Sequence, residues 1–208
     1  MFSRLARRLA YFFVEKNIIK PKDIEIYAYG YEIMLSETVN WIITVIIALL
    51  TGKIIETFAY MLAFMRLRGA LGGFHANSHI GCIVISTVVY IGCLCLIIQT
   101  PMGIYWMLIS AGLILHMGLV FAIAPVAHPN KPFMNEAERL KFRRKSFRLS
   151  AIYGGFCIIS ITSSLQMLKV CSYCIILGML SASISMLVEY IRQRYDGFKM
   201  GGVTSEKH

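Results

Sequence analysis

The chain has 208 residues, of which 57% are apolar and only 15% charged, a balance that excludes an ordinary soluble globular domain. Its net charge of +10 comes with no aromatic-interleaved basic module and no zinc-finger spacing, so no nucleic-acid partner is expected. The six cysteines lie mostly inside apolar runs, which argues against a secreted disulfide framework.

From the N-terminus, residues 2–20 read as an interfacial amphipathic helix. Phe2, Leu5, Leu9, Phe12 and Phe13 recur at helical spacing, with Arg4, Arg7 and Arg8 on the other side. Charge and apolarity alternate here, unlike a cleavable signal peptide. Pro21 interrupts this helix and Asp23 suits the next start. A weaker stripe (Ile24, Tyr27, Tyr31, Leu35) then leads directly into the first apolar run.

Spans are expected at about 39–52, 54–67, 80–100, 104–125, 149–168 and 171–191. The first two are short for a hydrocarbon core of about 30 Å and could form a partly re-entrant hairpin turning at Gly52-Lys53. Between the fourth and fifth spans lies a hydrophilic loop, 126–148, whose charged run reads as a surface helix. The expectation is an all-α polytopic membrane protein with one membrane-embedded domain over 1–208.

Basic residues give the orientation. With six spans and an inner N-terminus, only Lys53 and Lys169 of the 21 Lys and Arg fall outside, in line with the positive-inside rule. Both termini are then cytoplasmic, as is the segment Arg68 to Cys82, R-G-A-L-G-G-F-H-A-N-S-H-I-G-C.

That segment carries the candidate chemistry. His75 and Cys82 supply the base and nucleophile of a thiol protease. If the third span starts near Asn77 or Ser78, Cys82 falls in or just past its first turn, where the helix dipole favours a thiolate. Seven residues on one straight helix separate two side chains by about 10.5 Å. A dyad needs about 3 Å, so the chain must fold back between them, and Gly72, Gly73 and Gly81 permit that. Asn77, Glu32 or Glu37 could orient the imidazole. Arg68 could clamp a substrate carboxylate or pair with Glu37.

Alternatives stand beside this reading. His75 can serve as a loop residue and Cys82 as a small packing residue. His75, His79 and Cys82 share a face at i, i+4 and i+7, but one straight helix fits tetrahedral zinc poorly, and no metal or other cofactor is expected. Cys93, Cys95, Cys157, Cys171 and Cys174 read as packing residues. His116 sits inside a span, where an ionisable group is a functional candidate by default, although a neutral, hydrogen-bonded imidazole explains it equally.

The same segment, with the basic amphipathic start and the Pro125…Asn130-Lys131-Pro132 loop after the fourth span, resembles the accessory gene regulator protein B (AgrB) family. These are membrane cysteine endopeptidases of Gram-positive quorum sensing, and the likeness covers nearly the whole chain. It implies that Cys82 attacks a peptide bond of an AgrD-like precursor, with His75 as base and then acid. A peptidyl thioester results, and an internal Cys or Ser closes it to a thiolactone or lactone autoinducing peptide. Arg68 and Gly73 match positions the family needs, while Lys131 falls in a loop implied to handle substrate. The likeness also implies a homodimer, an acidic released tail, and a precursor helix lying on the anionic inner leaflet. The basic 139–148 run could attract that tail, or simply set topology and bind anionic lipid. A multi-span peptide carrier without covalent chemistry is the alternative.

Overall fold

The computed structural model describes residues 2–16, 18–74, 78–127 and 135–205. The regular elements among them are helical: α1 (Phe2–Glu15), α2 (Ile24–Thr51), α3 (Ile54–Leu71), α4 (His79–Gln99), α5 (Tyr105–Ile123), α6 (Glu136–Thr162) and α7 (Gln166–Ser205).

Local chemistry sets the breaks. Pro21 opens a 3₁₀ turn that leads into α2, as expected of a residue without an N–H and with a fixed φ. Gly52 ends α2 in the left-handed region at φ 67°, its N–H returning to the carbonyls of Ala48 and Leu49. Asn135 caps α6, its side chain accepting from the Glu138 N–H. Ser163 turns the chain between α6 and α7, its hydroxyl accepting from the Leu165 N–H at 3.1 Å.

The helices form two compact units, Met1–Gly52 with Ala76–Gly92, and Lys53–His75 with Cys93–His208. In the first, α1 packs along α2. Ala6 and Ala10 are buried, Phe13 stacks on Tyr31 at 5.7 Å, Ser3 donates to Glu32 at 2.7 Å and Arg7 pairs with Glu25 at 3.2 Å. Leu5 and Phe12 stay exposed, so α1 keeps an apolar face beyond the one it gives to α2. Within the expected 2–20 a helix is present over Phe2–Glu15, and its alanine seam was not anticipated.

In the second unit α3 and α7 make the closest approach. Ala59 and Ala63 on α3 lie one turn apart, as do Gly178 and Ala182 on α7. A Cβ on Gly178 would come within 3.2 Å of the Ala63 Cβ. Small residues at four-residue spacing let two helix backbones come together. α6 joins through Tyr153, whose hydroxyl donates to Leu62 O at 3.2 Å. It joins again through Ser146, whose hydroxyl reaches Ala70 O at 3.0 Å.

The centre of this unit is polar. His116 of α5 is fully buried; its Nδ1 lies 2.6 Å from Ser183 Oγ and 3.2 Å from Met179 O. Its Nε2 lies 2.9 Å from Ser150 Oγ. A carbonyl can only accept, so Nδ1 carries the proton and Nε2 accepts from Ser150. One neutral imidazole therefore ties α5, α6 and α7 together. Meanwhile large apolar residues such as Ile114, Phe121 and Ile159 face outward.

Serines and a histidine inside with isoleucines and phenylalanines outside is the arrangement that suits lipid. Among the described residues four segments are long and apolar enough to cross a membrane: Pro21–Thr51, Ile80–Gln99, Met102–Ile123 and Gln166–Tyr195. The last of these is 67% buried, whereas Ile80–Gln99, the most apolar, is only 17% buried. A water-soluble fold would bury its most apolar helix first.

The bounds differ from expectation in three places. The first span is not short: 39–52 is the end of α2, whose 28 residues rise about 42 Å. The charged surface helix expected within 126–148 is the first half of α6, continuous with the apolar segment that follows. Finally, α6 stops at Thr162 and not near 168, because residues from Gln166 onward already belong to α7, which runs on past 191 to Ser205.

Candidate active site

Cys82 lies in the first turn of α4. Ser78 caps that turn: its hydroxyl accepts from the Gly81 N–H at 3.0 Å and its carbonyl from the Cys82 N–H at 3.0 Å. Of the two cap residues expected, Ser78 is thus seen in that role. The cysteine stands where the positive end of the helix dipole acts. His75, Asn77 and Lys131 lie outside the described residues, as do the imidazole of His79 and the 128–134 stretch.

The approach to His75 is described up to Phe74. α3 ends at Gly72, whose N–H closes the helix on Arg68 O at 3.1 Å. Gly72 has φ 77°, and a Cβ there would overlap the Val126 carbonyl oxygen. Gly73 follows at φ 156°, backed onto α7 so that a Cβ would fall 2.7 Å from Ser185 Oγ. Both positions exclude a side chain. The end of α3 therefore falls in two residues that only glycine fits, while the fold-back expected between His75 and Cys82 lies in part outside the described residues.

Phe74 is then held on three sides. Its N–H reaches both Ser185 O at 3.0 Å and Ser185 Oγ at 3.1 Å. Its carbonyl accepts from Arg68 Nη2 at 2.8 Å, and the Arg192 guanidinium lies 5.7 Å from its ring centroid. Arg68 Nη1 also donates to Ser185 Oγ at 3.3 Å, with the guanidinium 5.6 Å from the Phe64 ring centroid. The expected choice for Arg68, substrate clamp or partner of Glu37, omitted this internal role. Glu32, considered as an imidazole orienter, accepts from Ser3.

Farther along α7, Gln193 Nε2 donates to Ala127 O at 2.6 Å and to Glu189 Oε1 at 3.0 Å. Glu189 is fully buried, with its other oxygen 3.9 Å from Arg192 Nη1. Val126 N–H donates to Leu71 O at 2.9 Å, joining the segment after α5 to the end of α3. Sequence reasoning missed Ser185, Glu189, Arg192 and Gln193. Their signal was a polar stripe at i, i+4, i+7 and i+8 crossing the end of an apolar helix.

The remaining polar features are structural in their contacts. Lys53 Nζ pairs with Glu56 Oε1 at 3.0 Å. Cys157 and Cys174 are buried and reduced, and the Cys157 thiol faces Ser172 O at 3.7 Å. Tyr173, between Cys171 and Cys174, stacks on Tyr105 at 4.5 Å.

A family model described as Accessory gene regulator B matches residues 6–186. An AgrB-like protein of Listeria monocytogenes serotype 4a is 26% identical over 203 residues, covering 94% of each chain. Another AgrB-like protein, from Listeria innocua serovar 6a, is 28% identical over 160 residues, 74% of this chain and 76% of the relative. No solved structure matches the chain.

Proposed function

The chain belongs to the accessory gene regulator B family, and from that premise we propose that it is a membrane-embedded cysteine endopeptidase maturing a cyclic signalling peptide. Its substrate is an AgrD-like precursor. The observation that carries the reading is Cys82 in the capped first turn of α4, following a chain that breaks out of α3 at Gly72 and Gly73.

The reaction runs in two acyl transfers. Cys82 Sγ attacks the scissile carbonyl carbon while His75 takes the thiol proton. N–H groups in the first turn of a helix have no intrahelical acceptor, and they would stabilise the oxyanion. The C–N bond then breaks, the His75 proton passes to the leaving amine, and the tail departs. A peptidyl thioester remains on Cys82. An internal Cys or Ser of the precursor next attacks that carbonyl and yields its proton to His75. The Cys82 sulfur leaves and is reprotonated, so the enzyme is restored and the ring closed. Water must be kept from the thioester, or linear peptide results.

In this reading α3 and α6 also cross the bilayer, giving six spans with both termini cytoplasmic. α3 has 18 residues, rising about 27 Å. The apolar part of α6, Leu149 to Thr162, rises only about 21 Å, so tilt or local thinning accompanies it. Its charged first half would stand at the inner surface among anionic headgroups. A carrier would need an ionisable group available at the bilayer midplane; both nitrogens of His116 are occupied by the protein.

The test is co-expression with a tailed precursor, comparing wild type with Cys82→Ala and His75→Ala. Loss of tail release in both variants is expected. Continued release in both sinks the dyad.

A further inference from the structure

We propose that the groove between α1 and α2 binds a phospholipid headgroup that carries both charges, a phosphate and a primary ammonium, as in phosphatidylethanolamine.

The groove lies wholly within the first compact unit. Its volume is about 420 Å³, within the range of sites that hold small molecules. Ser3, Arg4 and Arg7 line it from α1, and Glu25, Ala28, Tyr29 and Glu32 from α2. Ala28 is buried and contributes only a methyl group, so the longer side chains around it enclose the space. Two contacts hold the walls. Ser3 Oγ donates to Glu32 Oε1 at 2.7 Å, and Arg7 Nη2 lies 3.2 Å from Glu25 Oε2. Arg7 keeps further N–H donors and Glu25 a second oxygen. The Arg4 guanidinium and the Tyr29 hydroxyl make no hydrogen bond or ion pair among the described residues.

Depth identifies the occupant. α2 has 28 residues and rises about 42 Å, which exceeds a hydrocarbon core of about 30 Å. Its far end turns at Gly52 directly towards α3, so the surplus falls at its start. That surplus is about eight residues, the stretch that carries Glu25 and Tyr29 and ends beside Glu32. Across the groove, α1 leaves Leu5 and Phe12 exposed, as a helix lying in the interface does. The groove therefore stands at the level of lipid phosphates.

Charge identifies the headgroup. The lining balances two arginines against two glutamates. A purely anionic headgroup would meet both carboxylates, and a bare ammonium would meet both guanidiniums. A zwitterion offers phosphate oxygens to Arg4, Arg7 and the Tyr29 hydroxyl, and ammonium N–H groups to Glu25 and Glu32. A trimethylated ammonium has no N–H to donate and is recognised by cages of aromatic rings, whereas one aromatic residue, Tyr29, lines this groove.

The test uses the full chain in nanodiscs holding equal amounts of phosphatidylethanolamine, phosphatidylglycerol and phosphatidylcholine with the same acyl chains. Lipid that stays on the protein after release is counted by native mass spectrometry. Wild type is expected to retain phosphatidylethanolamine over each of the others by about fivefold, the effect of one charge-assisted hydrogen bond in an open groove. Arg4→Gln and Glu25→Gln should each bring that excess below about twofold. Arg8→Gln makes the same charge change at an exposed position of α1 that does not line the groove, and it should keep the wild-type excess.

Equal retention of phosphatidylglycerol would mean that net charge alone is read, and the proposal fails. It fails equally if Arg4→Gln behaves as Arg8→Gln does, because the lipid then sits elsewhere. Delipidated protein is also offered glycerophosphoethanolamine, the same headgroup without chains. Its retention through gel filtration, with no preference among the lipids, would assign the groove to a soluble phosphate ester and overturn the lipid as occupant. Loss of a tagged precursor from Arg4→Gln with the lipid excess unchanged would make the groove a peptide site, which also overturns it.

Discussion

Gly178 of α7 lies so close to Tyr60 of α3 that a Cβ on the glycine would stand 2.5 Å from the Tyr60 carbonyl oxygen and 3.1 Å from the Phe64 nitrogen. Both neighbours are backbone, so neither can swing aside. The α3–α7 contact is therefore set at the distance of two bare backbones, and Arg68 and Gly72 inherit their places from it.

Gly178→Val should force the two helices apart. Overpacking of this kind costs about 1–3 kcal/mol, and tail release should fall with it. Gly118→Val on α5, where a Cβ meets nothing within 4 Å, serves as the control. Thermal unfolding in detergent should show a lower midpoint for the first variant and little change for the second.

Gly72→Ala places a methyl against the Val126 carbonyl at a positive φ. The conformation alone costs about 1–3 kcal/mol, and the overlap adds displacement of the chain leaving α5. Tail release should drop at least tenfold. Gly69→Ala, three residues earlier in open space, should retain wild-type cleavage of co-expressed precursor.

His116→Leu replaces an imidazole bonded to Ser150 and Ser183 by an apolar group of similar bulk. Hydrogen bonds within membrane bundles contribute about 1–2 kcal/mol or less, so a modest fall in unfolding midpoint is expected. Cleavage per folded molecule should persist, since the proposed chemistry lies at the start of α4. Abolished cleavage in a folded variant would return His116 to the list of functional groups.

Gln193→Ala removes the donor shared by Ala127 O and Glu189 Oε1. A buried acceptor left unsatisfied costs about 1–3 kcal/mol. The double variant Gln193→Ala with Glu189→Leu should recover part of that loss, because no carboxylate is then left without its donor. A double-mutant cycle on unfolding midpoints measures the coupling.

The six apolar runs announced six helices, since length and hydropathy are local properties. The Ser78 cap and the break at Gly72-Gly73 were equally legible, because they depend on residue type at a helix end. The continuity of α6 was not. Its charged half and its apolar half look like different environments, yet backbone hydrogen bonding continues across the change. Ser185 was invisible for another reason: a serine in an apolar helix is identified only by what a distant segment brings to it. The alanines of α1 were likewise not legible, because an amphipathic stripe is read from bulky residues, of which Leu5 and Phe12 stay exposed while the seam is lined by the small Ala6 and Ala10.

Leu71 and Val126 share a main-chain hydrogen bond, and Ser185 grips Phe74 from a third part of the sequence. The unit that could be exchanged between two members of this family is therefore discontinuous. A chimaera that swaps only the stretch around residues 68–82 would graft a loop onto a foreign backing. A working graft must carry the 124–127 strip and the matching length of α7 as well, three ribbons of chain cut from three places and moved as one.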